Sequence, residues 1–261
     1  MEWMKELETA KAAAVEAGKA VMEIYREAAP VRVEYKEDRS PLTAADKAAN
    51  QIIIKALREG FPEYAVLSEE EQDNKLRLEQ DLCFVVDPLD GTKEFLKRNG
   101  QFTVNIALAY KHEAVMGVIY VPVSGDLYYA ARGYGAYKRT TDGEIKRLKV
   151  SEHTDTASLR VVASNSHECE QMNELIEKYQ FKNLVKMGSS LKGCLIAEDK
   201  ADIYYRFNPT MEWDTAAMQC IAEEAGAVFR QMDGTVMTYN RADSLNSKGF
   251  YIVNRVENLL V

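Results

Sequence analysis

The stretch that decides the fold reads Cys83-Phe84-Val85-Val86-Asp87-Pro88-Leu89-Asp90-Gly91-Thr92-Lys93-Glu94-Phe95. Its apolar beginning, residues 83–86, predicts a short buried strand. Pro88 has a fixed φ and keeps the residue before it extended, so the chain leaves the strand in a defined direction. Gly91 then allows a tight backbone path that a side chain would resist. The pattern therefore predicts a strand that ends in a sharp, polar turn.

Two carboxylates come directly after this strand. Asp87 and Asp90 are three positions apart, and the carbonyl of Leu89 lies between them in the sequence. Carboxylate and carbonyl oxygens are the ligands that Mg²⁺ prefers. Asp, Pro and Gly are also the commonest turn residues, so an ordinary turn is the alternative interpretation.

The run continues as Asp87-Pro88-Leu89-Asp90-Gly91-Thr92-Lys93-Glu94-Phe95-Leu96-Lys97-Arg98-Asn99-Gly100-Gln101-Phe102-Thr103-Val104-Asn105. It resembles the metal-binding signature of the inositol monophosphatase superfamily, which are Mg²⁺-dependent phosphatases. The longer run looks specifically like the bacterial 3'(2'),5'-bisphosphate nucleotidases of the CysQ type. This resemblance implies an α/β protein with the layered αβαβα sugar-phosphatase architecture. It also implies an α+β lobe over about residues 1–150 and an α/β lobe over residues 151–261, with the site between them.

The resemblance also implies the ligands of about two or three Mg²⁺ ions: Glu69, Asp87, Asp90, Asp214 and the carbonyl of Leu89. Most of them lie in the first lobe and Asp214 in the second. Taken alone, Glu69 begins a run of acids that is typical of a solvated loop. Asp214 stands in the first turn of a predicted helix, where a helix cap is the alternative.

Two further residues are candidates for activating a water molecule. Thr43 and Asp46 have the spacing of a helix N-terminus, so a capping role explains Asp46 without catalysis. The resemblance implies that Asp46 acts with Thr92 to orient the attacking water, and both roles are compatible. Glu70 is a further candidate beside the metal ligands.

A small-residue turn, Gly188-Ser189-Ser190-Leu191-Lys192, leads into a predicted helix and suits phosphate binding by amides, hydroxyls and an ammonium group. A plain helix cap is the alternative. By resemblance, the nucleotide contacts are Ser189, Lys192, Arg206 and His167. The amides of Gly91 and Thr92 are expected to hold the phosphoryl group that is transferred.

The remaining chain divides into two patterns. An amphipathic helix over residues 2–28 and a helix from Thr43 are followed, after the quoted strand, by alternating apolar runs that predict an antiparallel meander. The charged segment 72–81 is predicted to be an exposed, mobile loop. From about residue 159, strands and helices alternate, which indicates an α/β unit.

The bulk composition excludes some classes of partner. The 261 residues carry a net charge of −8, which argues against a nucleic-acid groove or a polybasic membrane patch. No apolar stretch has the length of a membrane span and no signal-peptide pattern is present. The cysteines lack zinc or redox spacing, which favours a cytoplasmic protein. The resemblance adds peripheral association with the inner membrane.

The expected reaction is Mg²⁺-dependent hydrolysis of the 3'-phosphate of adenosine 3',5'-bisphosphate by a metal-activated water, giving AMP and phosphate. The 5'-phosphosulfate form of this nucleotide is a second candidate substrate, and the resemblance to lithium-sensitive members implies inhibition by Li⁺. Two alternatives are an inositol monophosphatase and a non-catalytic regulator that binds a nucleotide or Mg²⁺.

Overall fold

The computed structural model describes residues 2–27, 33–35, 41–164 and 169–261. Its α-helices are α1 (Met4–Arg26), α2 (Ala44–Gly60), α3 (Thr92–Leu96), α4 (Glu170–Tyr179), α5 (Leu191–Ala197) and α6 (Glu212–Glu224). Its strands are β1 (Val33–Tyr35), β2 (Pro41–Thr43), β3 (Ala65–Ser68), β4 (Leu82–Asp90), β5 (Thr103–Tyr110), β6 (Glu113–Val121), β7 (Asp126–Ala131), β8 (Gly135–Arg139), β9 (Ile145–Arg147), β10 (Arg160–Ser164), β11 (Asn183–Met187), β12 (Ile203–Arg206), β13 (Thr210–Met211), β14 (Val228–Gln231), β15 (Leu245–Asn246) and β16 (Phe250–Val253).

A seven-stranded sheet contains β3 to β9 in the order of the chain. Each successive pair of strands from β4 to β9 is antiparallel, whereas β3 and β4 are parallel. The predicted meander is therefore confirmed. The parallel pair matters for function because both of its carboxyl ends, each followed by acidic residues, lie at the same edge of the sheet.

The second sheet has five strands in the order β11-β10-β12-β16-β14. Strand β10 is parallel to both β11 and β12, whereas β16 is antiparallel to β12 and β14. Two short ladders, β1 with β2 and β13 with β15, complete the pairing among the described residues. The predicted alternation of strands and helices after residue 159 is confirmed.

Alternate side chains of each sheet face different layers. In β4, Phe84 and Val86 pack in one cluster with α1 and α2, while Cys83 and Val85 pack in another with α5 and α6. The five-stranded sheet covers the other side of α5 and α6, and its outer face packs against α4. The order is thus helices, sheet, helices, sheet, helix, which confirms the predicted αβαβα layering.

Helix α6 lies against the first sheet at very close range. The strand beneath it has Gly117, where a Cβ atom would lie 2.5 Å from the carbonyl oxygen of Ala217. One hydrophobic cluster therefore runs through both halves of the chain. The division into lobes at about residue 150 stays a prediction.

The charged segment 72–81 is largely exposed, as predicted, but it has one buried anchor. It contains a short 3₁₀ helix, Leu76–Glu79, and the side chain of Arg77 is buried. Arg77 binds the carboxylate of Asp73 and the side chain of Asn240. Arg77 thus joins the segment to the second half of the chain through a buried contact, while most of the segment faces solvent.

No helix within these described ranges combines the length and apolar character needed to cross a membrane.

Candidate active site

Strand β4 continues through the predicted turn and ends at Asp90. Its pairing with β5 shifts by one residue between Asp87 and Asp90, which marks a β-bulge at Pro88 and Leu89. Proline has no amide hydrogen to donate to a neighbouring strand. It is tolerated here because the regular hydrogen bonds between the strands are interrupted at a bulge. The bulge explains how a sequence of turn residues remains in the sheet and still presents both carboxylates at the strand end.

Gly91 directly follows the strand and has a φ of 93°, in the left-handed region that favours glycine. A Cβ atom there would lie 3.1 Å from the carbonyl oxygen of Gln101 and 3.2 Å from the Cβ of Ser189. Gly91 thus allows the turn to approach the second half of the chain. Helix α3, which starts at Thr92, has only five residues, and the phosphoryl contacts of the Gly91 and Thr92 amides stay a prediction.

Three carboxylates come together at this point. Asp87, Asp90 and Asp214 each present an oxygen within 4.8 Å of the others. Asp214 arrives from the first turn of α6, where its Oδ2 accepts a hydrogen bond of 2.7 Å from the amide of Met211. The carboxylate thus also caps its helix, so the alternative interpretation from the sequence is compatible with a ligand role.

Glu69 lies next to this cluster because of the parallel pairing of β3 and β4. Ser68 is opposite Val86, and the amide of Glu69 donates to the Val86 carbonyl at 3.1 Å. Glu69 directly follows β3, and Asp87 is the residue of β4 that comes directly after the partner of Ser68. All four predicted acidic ligands and Leu89 line one cavity. Their roles as metal ligands stay a prediction.

The electrostatics of the cluster favour a cation. Burial, together with the charges of Glu69 and Asp90, holds the pKa of Asp87 well above its ordinary value. Burial and the charge of Asp90 likewise raise the pKa of Asp214. Like charges this close cannot all ionise without compensation. A set of buried and partly buried carboxylates that offers only oxygen ligands fits a hard divalent cation.

The predicted water-activating pair is also assembled. Asp46 uses its two oxygens differently: Oδ2 accepts hydrogen bonds from the amide and hydroxyl of Thr43, at 2.7 and 2.6 Å. Its Oδ1 lies 3.3 Å from the hydroxyl of Thr92. The capping box predicted for α2 is confirmed. Burial raises the pKa of Asp46, and the charge of Glu70 adds to this increase, which places Glu70 near the pair.

Three cationic residues, Lys93, Lys192 and Arg206, line the same cavity, which has a volume of about 270 Å³. Lys192 is buried, and its Nζ donates to the carbonyl of Ser189 at 2.6 Å. Arg206 donates to the carbonyls of Asn208 and Pro209 at the end of β12. Ser189 is buried in the turn with a φ of 48°. His167, the remaining predicted nucleotide contact, lies outside the described residues.

Other residues of the cavity were missed by the sequence reasoning. They include Pro41, Ser164, Tyr204, Thr210, Met218 and Phe250. Two polar residues that contact Asp90, Asn105 and Ser190, were also missed as site residues. A signal existed for Asn105, because it is an amide residue in a mostly apolar strand.

Comparison with known proteins agrees with this geometry. Residues 3–257 match the inositol monophosphatase family. The chain belongs to this family. It is 43% identical over 237 residues to the 3'(2'),5'-bisphosphate nucleotidase CysQ of Salmonella typhimurium. The aligned residues cover 90% of this chain and 94% of the relative. The predicted family and the likeness to CysQ-type nucleotidases are confirmed.

Solved structures of the family have the same fold. The crystal structure of CysQ from Bacteroides thetaiotaomicron superposes with a TM-score of 0.84 at 40% identity, covering 97% of this chain and 99% of that one. An inositol monophosphatase from Anabaena superposes with a TM-score of 0.77 at 23% identity, covering 97% and 92%. Since proteins of both names share the architecture, the fold alone does not select the substrate.

Proposed function

We propose that this protein is a Mg²⁺-dependent phosphomonoesterase that hydrolyses the 3'-phosphate of adenosine 3',5'-bisphosphate to AMP and phosphate. One observation carries the proposal: the acids Asp87, Asp90 and Asp214 and the cationic side chains of Lys192 and Arg206 line one cavity. The acids suit a cation that binds the phosphate to be removed. The cationic side chains suit the phosphate that stays. The relatives named as bisphosphate nucleotidases support the same substrate class.

The acidic cluster would hold about two or three Mg²⁺ ions. Its ligands would be Glu69, Asp87, Asp90, Asp214 and the carbonyl of Leu89. When bound, such ions neutralise phosphoryl oxygens and lower the pKa of a nearby water. Mg²⁺ needs such an oxygen-only environment and keeps some of its own water, so a partly open cavity suits it.

Thr92 and Asp46 would orient the attacking water. When the Thr92 hydroxyl donates its hydrogen to Asp46 Oδ1, its lone pairs are free to accept a hydrogen bond from the water. The contact of 3.3 Å is long for such a bond, but contacts of this kind commonly shorten when the substrate is bound. Glu70, close to Asp46, would help to receive the proton. The water oxygen forms the new bond to phosphorus, the bond to the 3'-oxygen breaks, and that oxygen takes up a proton.

The part of the substrate that stays unchanged would bind in the second half of the chain. Lys192 has two hydrogens on Nζ beyond the one given to Ser189, and the planar guanidinium of Arg206 suits a phosphate. Ser189 and His167 are the further proposed contacts, and the amides of Gly91 and Thr92 would hold the transferred phosphoryl group. The 5'-phosphosulfate form carries its negative charge in the same place and is a second proposed substrate.

The cation site is tested by Asp90→Asn. A neutral amide would hold a cation less well, so phosphate release at low Mg²⁺ should fall at least about a hundredfold, the magnitude expected when charge stabilisation is lost. Asp142→Asn, which changes an exposed acid in the turn between β8 and β9, is the matched control and should keep its activity. Near-normal turnover of Asp90→Asn at low Mg²⁺ would contradict the assignment.

Substrate choice is tested by Lys192→Ala and Arg206→Ala. A charge-assisted hydrogen bond contributes roughly 1.5–3 kcal/mol, so each variant should lose about ten- to a hundredfold in kcat/KM on adenosine 3',5'-bisphosphate. Activity on a small monophosphate without a nucleotide should change little. Equal losses on both substrates would favour the inositol monophosphatase alternative, and no Mg²⁺-dependent phosphate release at all would favour a non-catalytic regulator.

A cytoplasmic location, with peripheral attachment to the inner membrane as the alternative, stays a prediction that cell fractionation tests.

A further inference from the structure

The carboxylate of Asp90 is held by donors from two other parts of the chain. The amide of Ser190 donates to Asp90 Oδ2 at 2.6 Å, and the Ser190 hydroxyl donates to the same oxygen at 2.7 Å. The side-chain amide of Asn105, in β5, lies 3.2 Å from this oxygen. Within the described residues, all of these donors contact Oδ2 and none contacts Oδ1.

Hydrogen bonding fixes the orientation of both donor side chains. The Asn105 amide has two hydrogens, one for Asp90 Oδ2 and one for the Ser190 hydroxyl at 2.9 Å. Its carbonyl oxygen accepts from the Thr103 hydroxyl at 2.9 Å. Asn105 and Ser190 are 1% and 2% exposed, so water cannot replace these partners. The Ser190 oxygen also lies 3.1 Å from the backbone carbonyl of Asp214.

We propose that Ser190 and Asn105 are positioning residues for the cation site. Because their hydrogen bonds occupy Oδ2, Asp90 presents Oδ1 to a cation in one fixed rotamer. Groups that hydrogen-bond to ligating carboxylates orient them, and their loss commonly weakens metal binding about ten- to a hundredfold. This inference rests on the proposed function, since it takes Asp90 as a cation ligand.

The arrangement also links the cation site to the proposed substrate site. Ser190 directly follows Ser189 in the turn whose next residues include Lys192, so one segment contacts both Asp90 and the cavity wall. Any substrate that fixes this turn also fixes Asp90. By reciprocity, cation and substrate should therefore each increase the affinity for the other.

The test is calorimetric titration of purified protein with Mg²⁺ alone, followed by titration in the presence of AMP. Asn105→Ala and Ser190→Ala should each bind Mg²⁺ about tenfold more weakly than the unchanged protein and should need correspondingly more Mg²⁺ for half-maximal activity. AMP should strengthen Mg²⁺ binding to the unchanged protein more than to Ser190→Ala. Ser190→Thr retains the hydroxyl and the amide and should restore most of the affinity.

Ser151→Ala is the matched control. Ser151 is also buried, and its hydroxyl donates to the buried carboxylate of Asp202, which does not line the cavity. This variant should unfold at a lower temperature but bind Mg²⁺ normally. The melting temperature, measured for every variant, separates a loss of folding from a loss of affinity.

The outcomes distinguish this inference from the proposed function. If the unchanged protein takes up no Mg²⁺, the proposed function fails. If it binds Mg²⁺ and folded Asn105→Ala and Ser190→Ala bind equally well, the positioning role is overturned. An equal loss of affinity in Ser151→Ala would also overturn it, because the effect would then follow general destabilisation. Should one of the two site variants fail to fold, the other decides.

Discussion

The pair of Thr92 and Asp46 gives the most detailed prediction, because the structure assigns different contacts to the two oxygens of Asp46. Oδ2 caps α2 through Thr43, and Oδ1 faces the Thr92 hydroxyl. Asp46→Asn has only one acceptor oxygen. If that oxygen keeps the cap, an NH₂ group faces Thr92; if it faces Thr92, the NH₂ group opposes the Thr43 amide hydrogen. The substitution must therefore sacrifice one contact.

The expected magnitudes follow from these contacts. Loss of the cap costs about 0.5–2 kcal/mol of stability. Loss of an oriented proton acceptor costs about 10²- to 10⁴-fold in rate. Thr92→Val, which retains the shape of the side chain but not the hydroxyl, should lose activity with little change in melting temperature. In the proposed mechanism the two side chains act as a unit on one water, so the double variant should be about as active as the slower single variant.

The assay is kcat at saturating substrate and Mg²⁺ for the two single variants and the double variant. Thr43→Val is the control: it removes the capping hydroxyl and leaves the contact between Asp46 and Thr92, so its melting temperature should fall more than its activity. If the losses of Thr92→Val and Asp46→Asn multiply in the double variant, the residues do not share one function, and the reasoning is refuted.

Three further predictions concern ions, pH and packing. Li⁺ should inhibit more than Na⁺ at equal ionic strength and in a Mg²⁺-dependent way, because a smaller charge replaces Mg²⁺ without the same stabilisation; equal inhibition would indicate general screening. Burial lowers the pKa of Lys192 to about 8, so its positive charge is present below that pH and lost above it. KM for the bisphosphate should therefore rise above about pH 8, and a rise that persists in Lys192→Arg would exclude this cause. Gly117→Ala should cost about 1–3 kcal/mol of stability because its Cβ would meet the backbone of Ala217. Gly60→Ala, whose Cβ would lie 3.6 Å from its nearest neighbour, is the control for thermal unfolding. Equal melting temperatures for the Gly117→Ala and Gly60→Ala variants would contradict the packing argument.

Local patterns in the sequence predicted that some of the candidate site residues lie close together. Asp87 and Asp90 are three positions apart after an apolar strand, so their proximity follows from covalent connection alone. The cap formed by Thr43 and Asp46 is equally local. In contrast, Asp214 joins the cluster through the packing of α6 on the first sheet, and only the family resemblance indicated that contact in advance.

The failures have the same physical origin. Charged residues between 72 and 81 are typical of an exposed loop, but Arg77 finds its partners Asp73 and Asn240 in a buried contact. The partner Asn240 is remote in the sequence, so no local pattern indicates it. Asn105 is similar: a polar residue in an apolar strand indicates a buried partner, but the sequence does not say that the partner is Ser190.

The most direct test of the account compares two substrates in one assay. Phosphate release from adenosine 3',5'-bisphosphate and from inositol 1-phosphate should be measured side by side, with Mg²⁺ and after its removal by EDTA. The account predicts a higher kcat/KM for the bisphosphate, and loss of both activities without Mg²⁺. A preference for inositol 1-phosphate, or turnover of the bisphosphate that persists without a divalent cation, would contradict it.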